Sequence, residues 1–460
     1  MAHFLLYDDE NVKSMLSRYL TDWTFTRTPP AGNPNLVARW GNAQGEDIWP
    51  YSLNRNACIT IANSRKAFRR IMSLSGIPTQ SNVPDGDGPP WMVNSQNLSH
   101  RYQVGVFDLS VIFFKDDMAA LKSTSGIRSN EARRLKELAM RAVYHAGLVF
   151  GVVHVGIEVR TRNQVVIGVD PAPRLTEATA MRFAGGFKRY ASTVATVMAQ
   201  AKSRGLTVAI GADPEFSLAN KDGGRVFASD YLPVQGPVGC ELQPTQANGR
   251  FHKPVAELRP AYALSPVRLF QNLRSTIQRA DMMIPPGVVW LAGSVPDGTF
   301  PTGGHIHFSR VPLSTVLLKA LDNYLAIPLL LLEDPARSLI RRPRYGFLGD
   351  IRVKSHGGFE YRTPFSWLTS PVLALGALCL AFVIAKEHTR LTRDYFTDLR
   401  YLEAFYAADK GPFRQVLNEL WHDLEQTAAY DTYKQSLDEL KALIDSGWMV
   451  DESCDFRRMW

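Results

Sequence analysis

Cysteine is scarce and scattered in this sequence, which has four among 460 residues. Cys58, Cys240, Cys379 and Cys454 are far apart, and no two of them have the C-x-x-C spacing of a zinc or redox site. Secreted disulfide frameworks use a denser set of cysteines. The sequence therefore argues against a cysteine zinc site and predicts a reducing compartment, the cytoplasm.

Long apolar runs are also missing. The longest, PVLALGALCLAFVIA at 371–385, is shorter than the ~20 residues needed to cross a bilayer. The N-terminal stretch MAHFLLYDDENVKSML has acidic residues where an export signal has a basic start. We therefore expect no export signal and no membrane partner, and we predict a buried helix over 371–385.

Several familiar catalytic patterns are absent. The sequence has no G-x-S-x-G, no P-loop, no G-x-G-x-x-G, no H-E-x-x-H and no cysteine close to a histidine. A serine or cysteine nucleophile with its base is therefore not predicted. The net charge of +8 is spread along the chain without a polybasic block, which favours anionic ligands mildly and supports nucleic-acid binding only weakly.

The pattern of apolar residues divides the chain into three regions, and the length alone predicts about three domains. Residues 1–195 alternate short apolar strands with amphipathic helices, as in an α/β domain. In the second region, 206–390, strand patterns dominate up to about residue 365, with helices predicted at 262–281 and 311–333, and the chain after 387 is almost wholly helical, which gives a third region at 391–460. We predict an α+β protein with an N-terminal α/β domain, a second domain built on an antiparallel sheet, and a C-terminal helical appendage without catalytic groups.

Charged residues two positions apart recur on the predicted strands of the second region. IGADPEF places Asp213 and Glu215 on one strand face, because side chains alternate along a strand. VAELRP repeats the spacing with Glu257 and Arg259, and FEYRTP with Glu360 and Arg362. Singly, such a pair is more often a salt bridge at the end of a strand. A charge on a buried strand is costly unless it is paired or bound to a metal, so the recurrence is informative.

Two further patterns complete the set. TGGHIHFS places His305 and His307 on one strand face behind two glycines, which allow close backbone approach. RRPRYGFLGDIR supplies four arginines, at 341, 342, 344 and 352. Alone, the histidines are more often core or surface residues and the arginines more often a solvated face. If these strands pair in one sheet, four carboxylates, two imidazoles and several guanidiniums meet on one concave face.

This set of carboxylates, imidazoles and guanidiniums suits phosphoryl transfer from ATP. Hard oxygen ligands from several strands hold Mg²⁺ or Mn²⁺, which bridge the phosphates of ATP. Arginines neutralise the charge on the phosphoryl group as it moves, because this chemistry depends mainly on positioning and electrostatics.

The ordered motifs D-P-E-F, E-L-R-P, G-G-H-I-H-F, R-Y-G and F-E-Y-R-T-P resemble the glutamine synthetase-like carboxylate-amine ligases, closest to the phage-associated COOH-NH2 ligases of type 2. The resemblance covers about 206–390. It implies an ATP-dependent ligase that phosphorylates a carboxylate and lets an amine displace the phosphate, giving an amide or peptide-like bond. Between the first two motifs a clear acidic G-x-D-G is missing, and Glu241 is the candidate substitute.

The resemblance also implies roles for particular residues, in a glutamine synthetase-like antiparallel-sheet domain. The implied metal ligands are Asp213, Glu215, Glu257, Glu360 and His305. The residues implied to bind the nucleotide are Gly304, His305, His307 and Tyr345. The implied catalytic arginines, which contact phosphate or the substrate carboxylate, are Arg342, Arg352 and Arg362.

The first region resembles the ATP-grasp fold through NSRKAFRRIMSLSGIPT and HAGLVFGVVHVGIEVRTRNQVVIGVDPAP. Its magnesium-binding positions fall on His154, Gly168 and Asp170, so Asp170 is the only hard oxygen ligand among them, and Glu158 is a substitute if the register shifts. The usual lysine-bearing, glycine-rich strand is not recognisable at 91–106. We therefore predict a remodelled domain with reduced or lost catalysis.

Three functions stay open on the sequence alone. The leading one is an ATP-dependent amidoligase with its chemistry in the C-terminal half. A bifunctional ligase with both halves active and an inactive pseudo-ligase serving as a binding or virion component are the alternatives. The partners are a small-molecule or peptide carboxylate and an amine, in the cytoplasm, or the host cytoplasm if a phage encodes the chain. The sequence leaves the substrates and any homo-oligomer undecided.

Overall fold

A computed structural model of the chain describes residues 2–32, 34–42, 49, 51–80, 88–92, 97–116, 129–203, 207–240, 245–247, 249–342 and 344–460. The chain forms two compact units. Unit 1 comprises residues 1–198 and 395–402, and unit 2 comprises residues 199–394 and 403–460. The mixed α and β architecture predicted from the sequence is confirmed in both.

Unit 1 begins with a parallel sheet in the order β2-β1-β3-β4. Its strands are β1 (His3–Tyr7), β2 (Trp23–Thr26), β3 (Leu36–Trp40) and β4 (Ser52–Leu53). The helices of this part are α1 (Glu10–Leu16), α2 (Asn56–Asn63) and α3 (Arg65–Leu74). Asp9 caps α1, where its carboxylate accepts from the free backbone N–H of Asn11.

The second sheet of unit 1 is antiparallel, in the order β6-β5-β7-β8. Its strands are β5 (Leu98–Phe107), β6 (Ser110–Asp116), β7 (Phe150–Glu158) and β8 (Gln164–Asp170). Two long helices accompany them, α4 (Ser129–His145) and α5 (Glu177–Ser203). An aromatic cluster fills the core, formed by Trp40, Phe107, Phe150, Phe183 and Phe187.

Unit 2 is built on a mainly antiparallel sheet in the order β11-β14-β9-β16-β18-β17. Along the chain, these six strands are β9 (Ala209–Ala219), β11 (Val238–Cys240), β14 (Val255–Leu258), β16 (Gly304–Ser309), β17 (Ile351–Val353) and β18 (Phe359–Tyr361). Two short strands, β10 (Arg225–Val226) and β15 (Val289–Leu291), also pair with β9, and β12 (Thr245–Ala247) pairs with β13 (Arg250–His252). All eleven residues of β9 are buried, so this strand is the centre of the sheet.

Helices pack around this sheet. They are α6 (Pro266–Asp281), α7 (Thr315–Leu321), α8 (Ile327–Leu330), α9 (Pro335–Arg341) and α10 (Pro371–Glu387), with a π-helical turn at Asp322–Ala326. The predicted buried helix is confirmed, because α10 is almost wholly buried and contacts α6. None of the helices in the described part of the chain is long and apolar enough to cross a membrane.

The chain ends with three helices, α11 (Leu399–Tyr406), α12 (Gly411–Glu425) and α13 (Ala428–Asp445). Helix α13 packs against α10, and Gly447 follows it with a φ of 72°, a conformation typical of the glycine that ends a helix. Residues 403–460 group with the sheet of unit 2. The functional boundaries predicted at 195, 206 and 391 stay predictions, because compactness does not show which part of a chain carries a function.

Residues 446–460, which we call the C-terminal segment, are held by buried contacts within unit 2. Glu452 accepts hydrogen bonds from the backbone N–H groups of Ser294 at 2.7 Å and Val295 at 3.0 Å. Val450 N–H donates to the carbonyl of Leu332 at 2.9 Å. A carboxylate at 5% exposure with two backbone donors is an integral part of the fold.

Glu452 is expected to make stability fall as the pH rises. Burial raises its pKa to about 7, although the N–H groups of Ser294 and Val295 act in the opposite direction. The folded chain therefore holds a proton that the unfolded chain releases near the ordinary pKa of 4.5. The contribution of this proton to the free energy of unfolding is complete below pH 4.5 and is lost as the pH rises through about 7. Relative to Glu452→Gln, the wild-type free energy of unfolding should fall by about 3 kcal/mol across this window. Urea unfolding of both proteins between about pH 4 and about pH 8 measures this fall. A difference in free energy of unfolding that does not change with pH would contradict the raised pKa of Glu452.

Candidate metal and nucleotide site

Strand pairing brings the charged pairs of the sequence onto one face of the sheet in unit 2. Glu257 of β14 lies opposite Glu215 of β9. Asp213, two positions earlier on β9, lies opposite His305 of β16. Because alternate residues of a strand share a face, all four side chains project to the same side.

The row continues across the next strands. His307 of β16 lies opposite Gly211 on one side and Glu360 of β18 on the other. Glu360 in turn lies opposite Arg352 of β17. We call the six acidic and imidazole residues on this face the acidic cluster: Asp213, Glu215, Glu257, His305, His307 and Glu360.

The imidazoles lie between the carboxylates. Nδ1 of His305 is 3.5 Å from Oδ1 of Asp213, 3.9 Å from Oε1 of Glu215 and 3.5 Å from Oε1 of Glu360. Nε2 of His307 is 2.8 Å from Oδ1 of Asp213. The expected convergence of these side chains is therefore observed, whereas their roles stay predictions.

Three atoms of the cluster are shielded from water and lack a hydrogen bond of good geometry. They are Oδ1 of Asp213, Nε2 of His307 and Oε1 of Glu360. In the described part of the chain, these residues are the one group of three potential ligands whose ligand atoms lie within 4.8 Å of one another. Two carboxylates and an imidazole this close together offer the ligand types that hold a divalent cation.

The close carboxylates shift one another's protonation. Burial and the neighbouring Asp213 carboxylate raise the pKa of Glu257 to about 8, although the Arg259 guanidinium acts in the opposite direction. Burial acts to raise the pKa of Asp213 as well, but the imidazoles of His305 and His307 outweigh it and hold that pKa below its usual value. Without a cation, one member of the cluster takes up a proton, as expected for crowded acids.

Positive side chains surround Glu360, which is fully buried. Nε of Arg362 lies 3.1 Å from Oε1 of Glu360, and Nη1 of Arg352 lies 3.4 Å from Oε2. Lys354, which the sequence reasoning missed, also forms an ion pair with Glu360. Arg362 lies 3.6 Å from Asp350 as well. Lys354 lies two residues after Arg352, so the same two-residue spacing could have found it.

Arg342 has a different environment from Arg352 and Arg362. Its guanidinium donates to Glu333 at 2.6 Å, and this ion pair is almost completely buried. It also lies over the ring of Phe405 at 4.3 Å. The structure therefore gives Arg342 partners in the core rather than in the acidic cluster. Tyr345 is half-buried and lies near enough to Arg362 to act on the pKa of its guanidinium.

Close packing explains why glycine stands at both positions before the histidines. A Cβ on Gly303 would overlap the imidazole of His305, so this glycine makes room for a member of the acidic cluster. A Cβ on Gly304 would overlap the carbonyl of Phe365 and the indole of Trp367. Trp367 donates from Nε1 to the carbonyl of Gly304 at 2.9 Å. Nucleotide binding by Gly304 stays a prediction.

A cleft of about 610 Å³ opens beside Asp213 and His307. Arg259 lies in its wall but is already held by Glu257. The sequence reasoning missed three further lining residues: Tyr262, Arg310 and His356. They lie outside the two-residue pattern of the strands, and only the folded chain brings them together.

Two of the acidic residues predicted as ligands in unit 1, Asp170 and Glu158, have hydrogen-bond partners close by in the sequence. Asp170 ends β8 and accepts from the N–H of Ala172 at 3.0 Å, and burial raises its pKa to about 6. Glu158 accepts from the hydroxyl of Thr161 at 2.6 Å. His154 is buried opposite Gly168, and burial lowers its pKa to about 3. Glu241 lies outside the described residues.

Residues 210–460, more than half of the chain, match the family model of the phage phiEco32-like COOH.NH2 ligases of type 2. The chain belongs to this family. The resemblance inferred from the motifs is thereby confirmed, and the family span contains the whole acidic cluster. A search of curated proteins finds no match for this chain.

Several solved structures are similar to this chain at low identity. A bifunctional glutathione synthetase from Pasteurella multocida is 12% identical with a TM-score of 0.37, covering 57% of this chain and 52% of that one. D-alanine–D-alanine ligase from Bacillus anthracis is 10% identical with a TM-score of 0.30, covering 43% and 98%. The ATP-grasp ligase PsnB, in complex with precursor peptide PsnA2 and AMPPNP, is 9% identical with a TM-score of 0.29, covering 39% and 91%. At these scores we base no argument on them.

Proposed function

We propose that the chain is an ATP-dependent carboxylate-amine ligase whose chemistry takes place at the acidic cluster of unit 2. The observation that carries this proposal is the convergence of ligand atoms of Asp213, His307 and Glu360 within 4.8 Å of one another. These residues lie inside the span that matches the ligase family. The proposed substrates are ATP, a small-molecule or peptide carboxylate, and an amine.

The residues of the cluster fit a magnesium ion. Asp213 and Glu360 offer the carboxylate oxygens that Mg²⁺ prefers, and His307 offers a nitrogen at the same point. Glu215 and Glu257 lie on the same face as further oxygen ligands. When bound, Mg²⁺ neutralises phosphate charge and orients the phosphates of ATP.

The proposed reaction has two steps. In the first, an oxygen of the substrate carboxylate attacks the γ-phosphorus of ATP, the bond to the bridging oxygen breaks, and ADP leaves with an acyl-phosphate formed. In the second, the amine nitrogen attacks the acyl carbon, phosphate leaves, and the amine proton passes to solvent. The guanidiniums of Arg362 and Arg352, beside Glu360, stabilise the negative charge on the transferring group.

ADP release tests the proposal as a whole. It should require both a carboxylate and an amine, and an amide product should form in proportion to ADP. Pairs of amino acids and short peptides are suitable first substrates. If the chain bound neither ATP nor Mg²⁺ in calorimetry, the pseudo-ligase alternative would replace this one. We place the reaction in the cytoplasm that supplies ATP, that of the host if a phage encodes the chain.

Arg310 is expected to bind an anionic group of a substrate in the cleft. Its side chain is exposed, its φ is +64°, and in the described part of the chain it forms no ion pair. A charge-assisted hydrogen bond to phosphate or carboxylate contributes about 1.5–3 kcal/mol, so Arg310→Ala should raise one KM by about tenfold or more with a smaller change in kcat. Initial rates at varied ATP and carboxylate concentrations identify the substrate concerned.

Arg274→Ala is the matched control, because Arg274 is an exposed arginine on α6 outside the cleft lining. It should leave each KM unchanged. Equal KM values for Arg310→Ala and the wild type would show that the cleft binds its substrates without this guanidinium.

A further inference from the structure

Glu452 of the C-terminal segment lies at one end of a buried chain of hydrogen bonds that reaches the acidic cluster. Its carboxylate is bound by the N–H groups of Ser294 and Val295. The preceding residue, Gly293, has a φ of +146°, and a Cβ there would overlap the Glu452 carboxylate. The backbone at 293–295 is therefore shaped to receive this side chain.

The same backbone holds the start of β16. The carbonyl of Ser294 accepts from Thr302 N–H at 2.9 Å, and the carbonyl of Gly293 accepts from the Thr302 hydroxyl at 2.8 Å. Gly293 also accepts from Ser366 N–H at 2.9 Å. Thr302 and Ser366 are almost completely buried, so these bonds have no competing water.

The final contacts fix a member of the acidic cluster. The N–H of Gly303 donates to Oε2 of Glu215 at 2.8 Å, and the N–H of Glu215 donates back to the carbonyl of Gly303 at 2.8 Å. The hydroxyl of Ser366 donates to the carbonyl of Glu215. Glu215 is thus oriented by Ser366, which the backbone of Gly293 holds directly, and by Gly303, which follows the Thr302 that Gly293 and Ser294 hold.

We propose that Glu452 is a positioning residue of the active site, which sets the orientation of the Glu215 carboxylate through Ser294, Thr302 and Gly303. It acts at a distance and touches none of the reacting atoms. This inference rests on the proposed function in one respect: the orientation of Glu215 affects magnesium binding only if the acidic cluster is the magnesium site. Partners that orient a metal ligand typically change metal affinity by about 10- to 100-fold.

The variant Glu452→Gln tests this in the full-length chain, because it keeps the shape but turns one acceptor oxygen into an amide donor facing a backbone N–H. Arg457→Met is the matched control. Arg457 anchors the same segment, donating to the carbonyl of Val288 at 2.6 Å and to Asp281 at 3.1 Å, without a bond to 293–303. Both variants should lower the melting temperature.

Hydrogen exchange separates positioning from a general loss of stability. In Glu452→Gln, the amides of Thr302 and Gly303 should exchange at least about tenfold faster than in the wild type, whereas in Arg457→Met they should not change. Faster exchange confined to Ser294 and Val295, or equal exchange at 302–303 in both variants, would overturn the proposal. This measurement does not depend on catalysis.

Calorimetric titration with MgCl₂ measures the consequence at the site. The Glu452→Gln protein should bind Mg²⁺ about tenfold more weakly than the wild type, and the Arg457→Met protein should bind it with the wild-type affinity. Wild-type affinity in Glu452→Gln would overturn the proposed consequence. If the wild type itself bound no Mg²⁺, the metal site of the proposed function would fail, and the exchange rates would still decide whether Glu452 positions Glu215.

Discussion

Glu360→Gln is expected to lower ATP turnover by about 10²- to 10³-fold while the chain stays folded. The substitution keeps the side-chain shape and removes one negative charge from the acidic cluster. Glu360 is one of the three residues whose ligand atoms converge within 4.8 Å of one another, so the loss falls on the proposed metal site. Its cationic neighbours Arg352 and Lys354 are partly exposed, and water can solvate them when the charge is removed.

Glu333→Gln is the matched control for this prediction. Glu333 is also a buried glutamate paired with an arginine, Arg342, but it lies outside the acidic cluster. Its replacement leaves a buried guanidinium without its ion pair, which should cost about 3 kcal/mol or more of stability. Assayed well below its melting temperature, the folded enzyme should lose far less turnover than Glu360→Gln, because Glu333 offers no ligand atom to the acidic cluster. ADP release and thermal unfolding are measured on both variants.

Asp170→Asn decides between the two units of the chain. Asp170 is the one hard ligand among the three matched ATP-grasp positions, and it has a backbone partner in Ala172. If the chemistry belongs to unit 2, this change should alter turnover little. A folded Glu360→Gln protein with normal turnover, or a collapse of turnover caused by Asp170→Asn alone, would move the active site to unit 1.

Gly304→Ala is expected to destabilise unit 2 by about 3 kcal/mol or more. A methyl group at this position would overlap the carbonyl of Phe365 and the ring of Trp367. Both belong to the buried core, and Trp367 is fully buried, so neither can move away at low cost. The displaced strand β16 also carries His305 and His307, so activity should fall with stability.

Gly287→Ala is the control for Gly304→Ala. No atom lies within 4 Å of the position that its Cβ would take, and its backbone does not have a positive φ. The change should therefore alter the free energy of unfolding by less than about 0.5 kcal/mol. Urea unfolding of the two variants gives the comparison, and a Gly304→Ala protein as stable as Gly287→Ala would show that β16 can shift away from Trp367.

The sequence by itself determined the membership of the acidic cluster. Residues two apart on a strand share a face whatever the fold, so the pairs Asp213 with Glu215 and His305 with His307 could be found without coordinates. The sequence likewise indicated that 371–385 forms a buried helix, because an apolar run of that length is too short to cross a bilayer and gains most by packing in a protein core. Both inferences depend only on local periodicity.

The tertiary structure alone decided which residues support and surround that cluster. Arg342 and Arg352 look alike in sequence, but strand pairing places Arg352 opposite Glu360, whereas the end of α9 directs Arg342 to Glu333. Glu452 shares no spacing with the cluster, and it reaches Ser294 only because the C-terminal segment folds back over unit 2. Contacts between residues distant in sequence depend on register and packing, which no local pattern specifies.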